Sequence, residues 1–176
     1  MVNAVNRKWY KEERAGLEKY YTEDHLIKTV IAVVDEMPER YRVEVSEYET
    51  GGNSWHVLKI RVIDTRDNRE VDIKRNYSSV AYRYCEQRGK GYLITGEDYQ
   101  GFTVVDLEKM ESASYVPEAA KEGNGWCPLD FLDWDEEENE LVVEGCFWAC
   151  PYTKRIYEAF DFENPDFDKY TEIDAD

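Results

Sequence analysis

The densest group of side chains able to do chemistry in this chain is a run of carboxylates: Asp130, Asp133, Asp135, Glu136, Glu137, Glu138 and Glu140. Oxygens at that density suit Ca²⁺, which takes about six to eight of them. An EF-hand loop, however, alternates acids with other residues up to a glycine and closes on a glutamate. Asp133-Trp-Asp135-Glu-Glu137 lacks the glycine, and Glu140-Leu-Val opens an apolar stretch. The run therefore reads as the solvated tip of a hairpin. Mutual repulsion at such a tip leaves it favouring a counter-charge, either an ion or a basic partner.

The thiols and imidazoles are sparser. Cys85, Cys127, Cys146 and Cys150 do not pair at zinc-ligand spacing, since Cys146 and Cys150 stand alone with three residues between them. They are expected to be free, buried or half-buried thiols with no structural metal. His25 and His56 are isolated. His56 alternates onto the face of Leu58 and Ile60, which predicts a core or half-buried position rather than a catalytic base. No nucleophile elbow, zincin or phosphate-loop signature occurs, and Gly89-Lys-Gly91 and Gly123-Asn-Gly125 read as turns. Among 39 acids no catalytic carboxylate pair can be picked out. No catalytic residue and no cofactor is expected.

Charge separates the two halves of the chain. Residues 1–90 carry 17 Lys and Arg against 16 Asp and Glu, a balance of +1, whereas residues 91–176 carry 5 against 23, a balance of −18. Such asymmetry speaks of partners and solubility rather than fold. Nucleic acid is disfavoured, because phosphate contacts need positive charge. The basic strip Lys59, Arg61, Arg66, Arg69, Lys74 and Arg75 is interleaved with Glu70 and Asp72 and reads as the solvated face of strands. The longest apolar run, Val30–Val34, is too short to span a bilayer, and the first ten residues carry no leader pattern, so a cytoplasmic protein is expected. The other recognition candidate is the segment Cys146–Tyr152. Phe147, Trp148 and Tyr152 are large, and Pro151 fixes the chain.

These groups need elements to position them. Residues 6–22 show a helical stripe through Trp9, Leu17, Tyr20 and Tyr21, weakened at Gly16. From His25 onward the period changes to two. Tyr41–Tyr48 and Trp55–Ile63 alternate, with Thr50–Ser54 as the turn between them. Shorter apolar runs follow at Val71–Ile73, Val80–Tyr84, Tyr92–Thr95, Phe102–Val105, Ser114–Val116, Leu129–Trp134, Glu140–Phe147 and Lys154–Phe162, and the tail from Asn164 reads as acidic loop. Turns every 8–12 residues or so predict a mainly β, antiparallel meander. The expected organisation is one N-terminal helix within 1–24 packed on a single β domain over 25–176.

A repeat runs through the β region. Val62-Ile63-Asp64, Val104-Val105-Asp106 and Phe160-Asp161-Phe162 each precede a polar turn and a further strand-like run. Tyr92-Leu-Ile-Thr-Gly96 also aligns with Leu141-Val-Val-Glu-Gly145. With four short strands per unit, this pattern resembles the blades of a β-propeller, and the resemblance covers about residues 55–176. It implies a propeller-like stack of sheets that stays open, since about four blades are needed to close one. The stretch Glu144-Gly-Cys-Phe-Trp-Ala-Cys-Pro-Tyr152 resembles a motif of small bacterial proteins of unassigned activity and brings no functional residue with it.

Taken together, these features suggest a non-enzymatic, acidic interaction protein that meets a basic protein surface, the electrostatic logic of immunity proteins. Its expected binding residues are Asp133, Asp135, Glu136, Glu137, Glu138, Phe147, Trp148 and Tyr152. The rival is a small-ligand-binding protein or a carboxylate-dependent enzyme on a β scaffold, which would need a pocket enclosing carboxylates.

Overall fold

The computed structural model describes residues 8–52, 55–75, 81–97, 101–116, 125–147 and 150–175. The helix is shorter than its stripe. Helix α1 (Lys8–Ala15) stops before Gly16, and the chain continues through two single turns, Glu18–Tyr20 and Glu23–His25. Leu17 is buried, and Tyr21 packs edge-on to Tyr48 at 5.5 Å and donates to the Arg75 carbonyl oxygen at 2.9 Å. These contacts tie the N-terminal segment to the first sheet.

Among the described residues twelve strands follow: β1 (Leu26–Ala32), β2 (Tyr41–Glu49), β3 (His56–Asp64), β4 (Arg69–Arg75), β5 (Tyr82–Gln87), β6 (Lys90–Glu97), β7 (Gly101–Asp106), β8 (Glu111–Tyr115), β9 (Trp126–Asp135), β10 (Glu140–Phe147), β11 (Thr153–Tyr157) and β12 (Thr171–Asp174). They form three antiparallel four-stranded sheets, each a meander in chain order: β1 to β4, β5 to β8 and β9 to β12. The fold is thus mainly β, as the period-two patterning predicts.

Side-chain alternation explains the stacking. In β2, Tyr41 and Val43 are buried while Arg42 points to solvent, so only one face of the first sheet is covered by a neighbouring sheet. In β6 the adjacent residues Leu93 and Ile94 are both fully buried, because the middle sheet is covered on both faces. Leu93, Val105 and Leu107 join Val43, Ile60, Val62 and Ile73 in one core. Ile94, Phe102 and Val104 join Phe131, Leu141, Val143 and Tyr157 in a second. A strand buried on both sides needs a continuous apolar run rather than alternation, and Tyr92-Leu-Ile has one. The outer face of the first sheet carries the Arg61–Asp72 and Arg61–Glu70 pairs, which end the stack there.

The repeated aspartates are turn formers. Asp64 Oδ1 accepts from the Arg66 amide, Asp106 Oδ1 from Glu108 and Lys109, and Asp135 Oδ1 from Glu137 and Glu138. Four residues after each aspartate the backbone turns left-handed, at Asn68, Met110 and Asn139 (φ 57°, 56° and 54°). Asp135 makes the same turn between the first and second strands of the third sheet, whereas Asp161 holds the place of Asp64 and Asp106, between a sheet's third and fourth strands. Strand β11 ends at Tyr157, so Asp161 lies within the β11–β12 connection, where its carboxylate accepts from the Glu163 amide at 3.1 Å. The aligned runs Tyr92–Gly96 and Leu141–Gly145 do occupy matching places, the second strand of each sheet.

Three expectations are corrected. The tail is not all loop, because Thr171–Asp174 pairs with β11. Arg75 is not on a solvated face: it is 1% exposed and donates to Thr95 Oγ1 in the middle sheet. Cys150 is exposed rather than buried. The expected loop or helical turn at 117–125 falls almost wholly outside the described residues.

Candidate functional site

The meander sends alternate connections to opposite ends of the stack. At one end lie the short turns β3–β4, β5–β6, β7–β8 and β9–β10, together with the β1–β2 and β11–β12 connections. At the other end lie β2–β3, β6–β7 and β10–β11 and the links between sheets.

The carboxylates at the turn end are treated differently from sheet to sheet. Asp64 is fully buried, and its two oxygens accept from Arg40 Nε and Nη2, the closest contact being 2.6 Å. The Arg40 guanidinium, helped by the Arg66 amide, lowers the Asp64 carboxyl from 3.8 to about 2. Arg40 also pairs with Glu108 at 2.9 Å, and Arg69 Nη1 donates to the Glu108 carbonyl oxygen, so this network joins the first sheet to the second. Asp67 pairs with Arg69 and Asp106 with Lys109, each at 2.7 Å.

The β9–β10 tip of the third sheet carries no such matching. Glu136, Glu137 and Glu138 are exposed at the β9–β10 tip and form no ion pair among the described residues. The Phe160 amide donates to the Asn139 carbonyl oxygen at 2.7 Å, which binds the β11–β12 connection to that tip. This connection adds the exposed acids Glu158, Asp166 and Asp168 to the same end. Arg88, 3.9 Å from Asp161, and Lys90, on Glu163, bring positive charge there, and the exposed Lys169 lies in the same connection.

A buried glutamine holds this acidic end to the middle sheet. Gln87, 2% exposed, donates from Nε2 to Asn139 Oδ1 at 2.6 Å and to the Phe160 carbonyl oxygen at 2.7 Å. Its Oε1 accepts from the Phe162 amide at 3.1 Å. Nothing in the sequence distinguishes Gln87 from a solvated strand-end residue. Its role comes from loops more than fifty residues away.

The aromatic candidates lie at the opposite end. Asp135 precedes β10 and Phe147 closes it, so the length of that strand, on the order of 25 Å, separates the two groups. The acidic residues Asp133 to Glu138 come together, with Asp133 also 3.4 Å from Arg83. Phe147 and Tyr152 are exposed at the other end, and Trp148 lies outside the described residues. Phe147 faces Arg155, whose guanidinium stacks between Trp126 at 4.3 Å and Tyr170 at 4.0 Å and bonds Glu172 at 2.8 Å. Arg155 points inward with Tyr157 because both alternate onto the face of Val143 and Leu141. Arg155 is not singled out among the sequence candidates, although a positive charge on an inward phase is a signal that points to it. At the same end of the first sheet, His56 Nδ1 lies 2.5 Å from Glu47, and Lys28 is 3.0 Å from it. His56 and Lys28 together hold the Glu47 carboxyl below its usual range.

The thiols are free. Cys127 and Cys146 stand directly opposite each other across β9 and β10. Burial pushes the Cys85 and Cys127 thiols up to about 12. Among the described residues no group of three or more His, Cys, Asp or Glu could hold a metal ion. A pocket of about 220 Å³ opens between the second and third sheets, with Tyr92 and Phe162 on its wall and Asp106, Lys109, Glu111 and Glu163 among its lining. Its one cation, Lys109, is already engaged by Asp106.

No family model matches this sequence, and no solved structure matches it. It is similar to a protein of Acanthamoeba polyphaga mimivirus described only as uncharacterized, with 27% identity over 128 residues. The match covers 72% of this chain and 48% of the relative, so the chain spans about half the length of the protein it resembles. No helix among the described residues is long and apolar enough to cross a membrane.

Proposed function

We propose that this protein is a binding module that meets a basic protein surface through the acidic end of its third sheet. The observation that supports this is the contrast among sheets. Asp64, Asp67, Asp106 and Glu108 at the turn end each have an Arg or Lys partner, while Glu136, Glu137 and Glu138 have none among the described residues. The unmatched acids sit on a tip fixed by the Phe160–Asn139 backbone bond and by Gln87, so the negative field is held in one place. A rigid patch of one sign steers an oppositely charged partner into contact. The three meanders would act as propeller-type blades in an open stack that displays this end, and an immunity-like role in a bacterial cytoplasm fits the charge. The aromatic pair Phe147 and Tyr152 would serve a second, separate contact at the far end.

The test is capture of partners from a host extract with the wild-type chain and with a variant carrying Asp135→Asn, Glu136→Gln, Glu137→Gln and Glu138→Gln. The reading expects basic proteins that bind wild type at low salt and are lost from the variant. Capture of the same proteins by both baits would overturn it.

A further inference from the structure

The cleft between the first and second sheets holds a guanidinium. Arg40 lies over the Tyr41 ring at 4.8 Å, donates to both oxygens of Asp64 and reaches Glu108 of the second sheet at 2.9 Å. Tyr41 and Asp64 are direct partners in the β2–β3 ladder, and the Thr65 amide donates to the Arg40 carbonyl oxygen at 2.9 Å. The cleft between the second and third sheets repeats this frame without its arginine. Tyr92 and Asp106 are direct partners in the β6–β7 ladder, and the Leu107 amide donates to the Gly91 carbonyl oxygen at 3.1 Å. Gly91 thus stands where Arg40 stands in the first sheet. Glu163 stands where Glu108 does, two residues after an aspartate whose Oδ1 accepts its amide. On this frame opens the pocket of about 220 Å³, lined by Tyr92, Asp106 and Glu163 together with Phe162, Glu111 and Lys109.

The chain does not fill this pocket from Gly91, where a β-carbon would press on the Tyr84 ring at 3.0 Å. Lysines cover two of the carboxylates, Lys109 on Asp106 and Lys90 on Glu163. Glu111 is left over. It is exposed, forms no ion pair among the described residues and faces Asp106 directly across the β7–β8 ladder. The matching position in the first sheet is Arg69, opposite Asp64. Like charges directly opposite destabilise a ladder, so a cation beside Glu111 has a repulsion to relieve. We propose that this pocket takes the guanidinium of an arginine side chain on the partner, in the place that Arg40 fills in the first cleft. The inference rests on the partner being basic, as proposed above, and names the group that it inserts. A volume of about 220 Å³ lies below the roughly 300–1,000 Å³ of a drug-sized site, which suits a single side chain. Tyr92 and Phe162, stacked at 4.9 Å, offer aromatic surface to a planar guanidinium, and the Glu111 carboxylate offers two acceptors to its N–H fork.

Amide chemical shifts followed during titration with a capped glycine-arginine-glycine peptide test this. The peptide should give saturable shifts centred on Tyr92, Glu111 and Phe162. Its citrulline counterpart, which keeps the shape and lacks the charge, should give none. Glu111→Lys, at an exposed position, should weaken peptide binding at least about tenfold without moving the urea midpoint, and Glu111→Gln should weaken it in the same direction. The chain altered at Asp135, Glu136, Glu137 and Glu138 should bind the peptide as wild type does, so failure of the pocket and failure of the acidic tip are read separately. Free arginine, whose own carboxylate would meet the acids at the rim, should bind more weakly than the peptide. The absence of saturable shifts, or equal shifts with citrulline, would overturn the inference. So would binding that survives both Glu111 variants, binding that is lost with the tip acids, or tighter binding of free arginine, which would assign the pocket to a small molecule.

Discussion

Replacing Gln87 by leucine should cost this protein a large part of its stability. Leucine fills nearly the same space but removes three hydrogen bonds: two donated by Nε2, to Asn139 and to the Phe160 carbonyl, and one accepted from the Phe162 amide. Each bond contributes about 1 kcal/mol net. Phe160 and Phe162 are both 3% exposed, so the carbonyl and the amide have little access to water once their partner is gone. Each polar group left buried and unsatisfied adds about 1–3 kcal/mol, whereas the half-buried Asn139 can be rehydrated. The expected loss is about 3–5 kcal/mol, against a total of about 5–15 kcal/mol for a typical domain. Urea unfolding followed by tryptophan fluorescence should show a lower midpoint at unchanged slope. Gln87→Glu adds a pH signature. Its carboxylate would face two acceptors, the Asn139 and Phe160 oxygens, so its folded pKa would rise above the unfolded value. The variant should then gain stability as pH falls, because protonation restores a donor. If Gln87→Leu costs less than about 1 kcal/mol, the clasp does not hold the acidic end to the middle sheet.

Leu93→Ala and Ile94→Ala should each cost about 2–5 kcal/mol although they are neighbours in one strand, and the two losses should add within about 0.5 kcal/mol because they empty different cores. Denaturation of the single and double variants checks both points, and a cost for only one of the pair would contradict a middle sheet covered on both faces. In acid titrations, Asp64 contributes stability that is fully present above its unfolded value of 3.8 and is lost as pH falls toward about 2. Asp64→Asn should therefore flatten the acid limb of the stability curve in that window and leave its shape near neutrality unaltered. Alkylation with mass-spectrometric readout should label the exposed Cys150 first and Cys85 only on unfolding, because burial raises the Cys85 thiol and closes access to it.

Much of the fold was legible from period. The strict alternation of Tyr41–Tyr48 and Trp55–Ile63 predicts two half-buried strands in register, and Val43 faces Val62 across them. What alternation misses is burial set by distant chain. Arg75 reads as one more residue of a basic strip, yet it is covered because the middle sheet closes over the end of β4. The helical stripe over 6–22 was overstated because Leu17 and Tyr21 serve the sheet from turns rather than from one helix. The aspartate repeat was half legible. An aspartate four residues before a left-handed residue makes the same turn wherever it falls, so Asp135 adds a turn that the pattern omits, while Asp161 holds the third-to-fourth-strand place of Asp64 and Asp106 in a longer connection. The acidic tip was visible as composition, but its separation from the Phe147–Tyr152 segment by the length of β10 was not.

The central claim is that the acidic end of the third sheet steers a basic partner. The most direct measurement is the association rate of a captured basic partner with wild type and with the chain altered at Asp135, Glu136, Glu137 and Glu138, taken across ionic strength. The account predicts a wild-type rate that falls steeply as salt shortens the screening length to about 8 Å at physiological strength, and a variant at least about tenfold slower at low salt. Equal rates for the two chains that do not change with salt would contradict it.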